Sequence, residues 1–397
     1  MRLISKNFIK RELRRLDLHI EGLKILSEKS DLLAIKIGEL TATQALILKQ
    51  EALAMGADFA LPKDVIVLKK KDDIEGILIS DVRRLKALIV KLKKQPFKLS
   101  SLSRRLEELL RNIYRPLKDI RCGEYKLRIS KKTCIMGIIN VSPNSFYEKS
   151  RFCYADKAVE YAKSVERFCD IIDVGAESTN PLAKPISAKE ELRRIIPVVK
   201  VLLDEIDLPI SIDTYKPEVA KECLELGAHM INDVTALRWS KEMAKVVSKY
   251  DVPVVLMHMR FLPGRKYEKF PEYKDLMQEI YNFLAERIKF ATQYIGEDKI
   301  VVDPGIGYGY FGKNARQSLE IIARLDELKG LGMPILVSPS RKSFIGEILD
   351  LPPEERLEGS LAANVICALK GANIIRTHDP KETSYAIRIV DSLKSLV

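Results

Sequence analysis

From about residue 130 onward, eight short β-branched apolar runs alternate with stretches of helical periodicity, and few folds accept that rhythm. The runs are residues 133–139, 170–174, 209–212, 230–231, 252–257, 300–302, 334–337 and 374–375. Residues 155–168, 188–203, 218–226, 241–249, 275–294, 318–329 and 359–370 lie between or after them and read as helices. Eight βα units in about 270 residues predict an α/β fold of the (β/α)8 TIM-barrel type, whose usual size is about 250 residues. A doubly wound open sheet is the other arrangement compatible with the pattern.

The first third of the chain has a different texture. Residues 32–37 alternate like a strand, and Thr41 stands where it can cap a helix through TATQALILKQEALAMG. Residues 59–67 and 76–79 are β-prone, and 83–94 and 102–110 are amphipathic. A smaller α/β domain over residues 1–120, followed by the barrel over 121–397, is the predicted organisation. The first domain shows no catalytic constellation, and the sequence gives it no role.

Charge separates the two parts further. Of the formal +12, residues 1–120 hold 26 basic against 16 acidic side chains, and the rest hold 41 against 39. The densest basic run, KLKKQPFK at 91–98, has acidic residues Asp81, Glu107 and Glu108 around it and no aromatic ladder. It reads as a solvated helix face, so nucleic acid is not an expected partner. With 46% apolar and 31% charged residues and no unbroken apolar stretch of about 18, the composition is that of a soluble cytoplasmic protein without a membrane span. The basic N-terminus lacks the apolar segment of a cleaved signal. Six cysteines form no C-x-x-C pair and four histidines no H-E-x-x-H, which argues against a disulfide framework or a transition-metal site.

A barrel performs chemistry at the C-terminal ends of its strands. The eight runs end in Asn140, in Glu177-Ser178-Thr179, in Asp213, in Asn232-Asp233, in His258, in Asp303, in Ser340-Arg341-Lys342, and in Arg376 with His378. Two cationic clusters at one rim imply an anion, since a guanidinium fork suits phosphate. For Arg376 alone, a salt bridge to Asp379 or another rim carboxylate is the competing use. Asp213, Asn232 and Asp303 together offer acceptors and donors to a flat heterocycle with an exocyclic amine and ring N–H groups.

Nine strings along this region resemble the dihydropteroate synthase family: MGIINVSPNSF, DIIDVGAESTNP, SIDTYKPEVA, INDV, LMHM, DPGIGYG, SRKSFIG, GSLAA and RTHD. Their order and spacing carry the resemblance, which covers roughly residues 130–397, and the first domain looks like the extension of some bacterial members. The resemblance implies condensation of a dihydropterin hydroxymethyl pyrophosphate with 4-aminobenzoate, with release of pyrophosphate. It implies that Asp213, Asn232, Met257, Asp303, Tyr308 and Lys342 hold the pterin, with Asp213, Lys342 and Arg376 catalytic. By the same likeness Asn140, Arg376 and His378 take the pyrophosphate, Asn140 is also a ligand of Mg²⁺, and Thr179 and Ser340 lie near the arylamine. A homodimer is the family expectation. A pterin enzyme using another arylamine or transferring methyl, or a non-catalytic pterin-binding paralogue, are the alternatives. Departures from the family pattern are Asn144 for Asp, Glu148-Lys149-Ser150 for Asp-Gly-Gly, and Asn180 for Arg. The last removes a cation expected to meet an anionic group and predicts weaker binding or altered loop closure.

Overall fold

The computed structural model describes residues 1–66, 71–141, 152–177, 185–264, 272–308 and 311–396. The chain divides into two compact units, Met1–Tyr114 with Leu396–Val397, and Arg115–Ser395.

In the first unit, strands β1 (Leu32–Leu40), β2 (Asp58–Ala60) and β3 (Ile74–Asp81) form an antiparallel sheet in the order β1-β3-β2. Helix Ala42–Ala54 starts from Thr41, whose hydroxyl and Gln44 form a reciprocal capping box. Leu48, Leu78, Leu85, Leu88, Leu92 and Leu99 build its core. The β-prone stretch from residue 59 ends at Ala60. After Pro62 the chain makes the short helix Lys63–Ile66 instead, which buries Val65. Within the basic run Lys91 pairs with Glu51, and Lys93 with Glu107 at 2.9 Å, so neighbouring carboxylates neutralise part of it.

The second unit begins with a small hairpin, β4 (Ile120–Cys122) and β5 (Tyr125–Leu127), turned at Gly123. Eight parallel strands come next: β6 (Cys134–Asn140), β7 (Ile171–Gly175), β8 (Ile210–Asp213), β9 (Met230–Asp233), β10 (Val254–Met257), β11 (Ile300–Asp303), β12 (Leu336–Val337) and β13 (Ile374–Thr377). They pair in the order β11-β10-β9-β8-β7-β6-β13-β12, and a single parallel bridge between Val302 and Ile335 joins the two ends of that series. The barrel reading is therefore the one the fold adopts, rather than the open sheet.

Side chains alternate across each strand. Ile172, Val174, Ile212, Ile231, Leu256, Val302, Val337 and Ile375 face outward into the main core beneath the helices. Cys134, Met136, Ile171, Met230, Val255, Val301, Leu336 and Ile374 face inward and pack with Ile120, Cys122, Leu127 and Ile129 of the hairpin region, which floors the barrel. This inner layer decides which side chains reach the mouth, because the next inward position on a strand is always two residues further along.

Candidate active site

Two residues beyond five of these inward apolar side chains stands a polar or functional one. Ile171 leads to Asp173, Met230 to Asn232, Val255 to Met257, Val301 to Asp303 and Ile374 to Arg376, while inward Ser211 leads to Asp213. The strand period thus lifts a ring of functional groups above an apolar plug at one end of the barrel.

Arg376 is the hub. Its Nε donates to Asp173 Oδ2 at 2.6 Å and its Nη2 to Asp213 Oδ2 at 2.8 Å. Asn232 Nδ2 donates to the same Asp173 oxygen at 3.0 Å. The competing use of Arg376 foreseen from sequence is thus realised with another rim carboxylate, Asp213, and with Asp173 rather than Asp379. Asp379 instead takes both arms of Arg341, at 2.9 and 2.6 Å. That bidentate pair braces the turns bearing Lys342 and His378. Asp173 escapes sequence reading because it lies inside an apolar run, and only the two-residue spacing from Ile171 marks it. Its Oδ1 is buried without a hydrogen-bond partner.

Asp303 accepts from Gly305 N at 2.7 Å. Gly305 has φ +67°, and a Cβ there would lie 2.0 Å from the His258 carbonyl oxygen. A Cβ at Gly307, φ +118°, would press on the Lys342 side chain at 3.2 Å. Gly305 and Gly307 of DPGIGYG thus allow the loop after β11 to come this close to its neighbours. Lys342 stands before helix Ser343–Leu349, with its ammonium 4.2 Å from the centroid of the Phe311 ring. Phe311, Met257, Met259, Val234 and Tyr215 form a small buried apolar cluster at this end of the barrel. Tyr308 is only partly buried, and its hydroxyl donates to Glu347.

His258, read from sequence as a rim residue, is instead packed away. It is 2% exposed, and Lys313 Nζ reaches its Nδ1 at 2.7 Å, its carbonyl at 3.2 Å and the Pro304 carbonyl at 3.1 Å. This fully buried lysine, to which no sequence motif points, ties the end of β10 to the loop after β11.

His378 meets Ser340 twice. Its backbone N–H donates to Ser340 Oγ and its Nδ1 lies 3.1 Å from the same oxygen. The Ser340 hydroxyl and Nδ1 share one hydrogen, and the tautomer in which the hydroxyl donates leaves Nε2–H as a donor. Asn140 ends β6 with its side chain exposed. Thr179, Asn180 and the segments 142–151 and 178–184 lie outside the described residues.

Burial sets the electrostatics. It pushes Asp213 up to about 7, with Arg376 opposing the rise and Asp173 adding to it. Asp303 rises to about 6, chiefly by burial, and the Gly305 amide and Lys342 hold it back. Lys342 falls to about 8, again by burial, helped by repulsion from Arg376. His378 falls to about 4 through burial and Arg376, so it is neutral near pH 7. Burial works against the charge on Arg376, but Asp173 and Asp213 outweigh it and hold the group further into its protonated range. An end-of-barrel mouth with carboxylates poised near neutrality, one permanent cation and one adjustable cation can hold a polar heterocycle and an anion together.

Comparison with known proteins agrees with this chemistry. A family model described as "pterin binding enzyme" matches residues 136–378. The dihydropteroate synthase of Clostridium beijerinckii is 42% identical over 275 residues, which are 68% of this chain and 98% of that protein. The crystal structure of a dihydropteroate synthase from Clostridium difficile in the presence of pteroic acid is 46% identical, with a TM-score of 0.60, covering 66% of this chain and 97% of that one. The Xanthomonas albilineans dihydropteroate synthase structure with 4-aminobenzoic acid is 37% identical, with a TM-score of 0.64, covering 70% of this chain and 98% of that one.

Proposed function

The chain belongs to the pterin binding enzyme family, and from that premise we propose that it is a transferase of folate biosynthesis with dihydropteroate synthase activity. It joins 6-hydroxymethyl-7,8-dihydropterin pyrophosphate to 4-aminobenzoate. The methylene C–O bond breaks and its electron pair leaves with pyrophosphate. The arylamine nitrogen forms the new C–N bond and gives up one proton.

The observation that carries this reading is the ring Asp173–Arg376–Asp213 with Asn232 at one mouth. Asp213, Asn232, Asp303 and Lys342 face the pterin, with Met257 and Tyr308 around it. Asp213 as carboxylate opposes the positive charge that develops on the pterin as the C–O bond opens. Arg376, Asn140 and His378 hold the diphosphate, Arg376 by charge and His378 by one N–H from a neutral ring. Ser340 and Thr179 lie toward the arylamine.

The Asn140 amide oxygen is a hard, neutral donor at the end of β6, which suits Mg²⁺ shared with a diphosphate and water. When bound there, the ion would supply counter-charge to the leaving group. Ile366, Leu369, Tyr385 and Ile389 are large apolar side chains left exposed on helices Leu357–Leu369 and Pro380–Lys394, and they support a homodimer through that face. No described helix is long and apolar enough to cross a membrane. A cytoplasmic location fits water-soluble substrates.

The test is direct. Purified protein with Mg²⁺ and both substrates should release pyrophosphate in a 1:1 ratio to dihydropteroate, the product being identified by chromatography. Tight binding of the pterin pyrophosphate with no product from 4-aminobenzoate or related arylamines would overturn the synthase reading.

A further inference from the structure

Beside the Asp173–Arg376–Asp213 ring lies a second buried ionic group, on elements that lead to the other substrate. Lys216, 6% exposed, donates to both Glu177 and Glu191, and Glu191 is 1% exposed. Glu177 is shared further: Tyr215 donates its hydroxyl to Oε1 at 2.7 Å, and the Ile186 amide donates to Oε2 at 3.2 Å. Its carboxylate therefore ties residue 177 to residue 186, the two sides of the segment that carries Thr179. Lys216 ties the same carboxylate to the turn after β8, three residues beyond Asp213, and to the first turn of helix Ala188–Glu205.

Two carboxylates around one ammonium is an expensive arrangement away from water, because burying charge costs several kcal/mol per ion before pairing repays it. Glu191 Oε1 remains without a hydrogen-bond partner, and burial raises the Glu191 pKa while Lys216 opposes that rise. A fold needing only adhesion here would be served by apolar side chains of similar size. An ionic clamp instead holds backbone ends at fixed separations, since each of its hydrogen bonds is directional. Tyr215 connects the clamp to the apolar end of the mouth: its ring packs edge-on to Trp239 at 4.9 Å and shares the buried cluster with Met257 and Phe311.

We infer that Glu177, Lys216 and Glu191 are positioning residues for the arylamine: they fix Glu177, Ile186 and the start of helix Ala188–Glu205 against the turn following Asp213, and so place the second substrate relative to the pterin. This role rests on the synthase reading, and the three side chains touch neither substrate directly. None of them belongs to the pterin or diphosphate set.

The experiment compares wild type with Lys216→Met, Glu177→Gln and Glu191→Gln in steady-state kinetics for each substrate. Calorimetric binding of the pterin pyrophosphate and melting temperature are measured in parallel. Lys216→Met should raise KM for 4-aminobenzoate about tenfold or more while pterin affinity stays within about twofold, the pattern of a lost ground-state constraint on one substrate. Glu177→Gln keeps an acceptor oxygen for only one of Tyr215 and Ile186 and loses the charge, while Lys216 stays paired with Glu191, so its shift should have the same direction and smaller size. Glu177→Gln combined with Lys216→Met should add little to Lys216→Met alone, since both act through one contact. Equal losses for both substrates that follow the melting temperature, or unchanged KM for 4-aminobenzoate in the folded variants, would overturn the inference. If Lys216→Met does not fold, the two near-isosteric Gln variants decide the matter by the same criterion. A wild type that makes no dihydropteroate removes the synthase reading and this inference with it, and that result appears before any variant is compared.

Discussion

Asp213 and Lys342 carry opposite burdens from the same cause. Burial lifts the carboxyl to about 7 and lowers the ammonium to about 8, so both are charged only in a narrow interval. Asp213 loses its charge as pH falls through about 7, and Lys342 loses its charge as pH rises through about 8. The kcat/KM for the pterin pyrophosphate should rise from pH 5.5 toward neutrality and fall again above about 8, and a profile flat across that range would contradict the assignment. Asp213→Asn should lower kcat by about 100-fold or more while the melting temperature is kept, measured by product formation and thermal denaturation. Lys342 has a folded-state pKa below that of the unfolded chain, so its charge costs stability at neutral pH, a cost that disappears only above the unfolded value. Lys342→Met should accordingly raise the melting temperature, by about 2–4 °C if roughly 1 kcal/mol is recovered, while lowering kcat/KM. Arg376 adds a constraint of its own. It already holds two carboxylates, so on the proposed function an incoming diphosphate would have to compete with Asp173 and Asp213 for it.

At the level of the strand, the amino-acid order is legible wherever the two-residue period is unbroken. Asp213, Asn232, Asp303 and Arg376 follow their apolar runs in the chain and rise to one rim in space. The same logic exposes Asp173, which stays hidden when the ends of runs, rather than inward positions, are taken as the guide. Lys216, Glu191 and Lys313 are not legible at all. They lie in turns and helices, and their burial depends on contacts between segments distant in sequence. The hairpin β4–β5 has three-residue strands with no periodicity to detect, yet its Ile120, Cys122 and Leu127 seal the barrel floor. The loop after β11 shows the reverse case, where a glycine pattern states its geometry outright. Gly305→Ala should cost about 2 kcal/mol or more, read as a lowered denaturation midpoint, because a side chain meets both a positive φ and the His258 carbonyl.

For the molecule as a whole, the natural cut lies at Tyr114–Arg115. Arg115 donates to the Gly332 carbonyl at 2.9 Å within the second unit, and the floor hairpin comes directly after it. A protein beginning at Arg115 should fold and retain the pterin site, whereas one beginning at Arg128 should lose cooperative unfolding, as followed by circular dichroism; equal behaviour of the two would deny the hairpin its role. The eight-stranded hoop is not equally strong around its circumference. β12 has two residues, and among the described residues the chain just before it joins β11 through the bridge Val302–Ile335 and the Val302 N–H on the Pro334 carbonyl at 2.9 Å. Asp303 stands directly above one lip of that seam, and Lys342 comes after the other. On the proposed function, the thinnest join of the barrel lies beneath two of the groups that face the pterin, and it is there that the hoop should open most readily. Amide exchange at Val302 ahead of Ile172 and Val255 would be its trace.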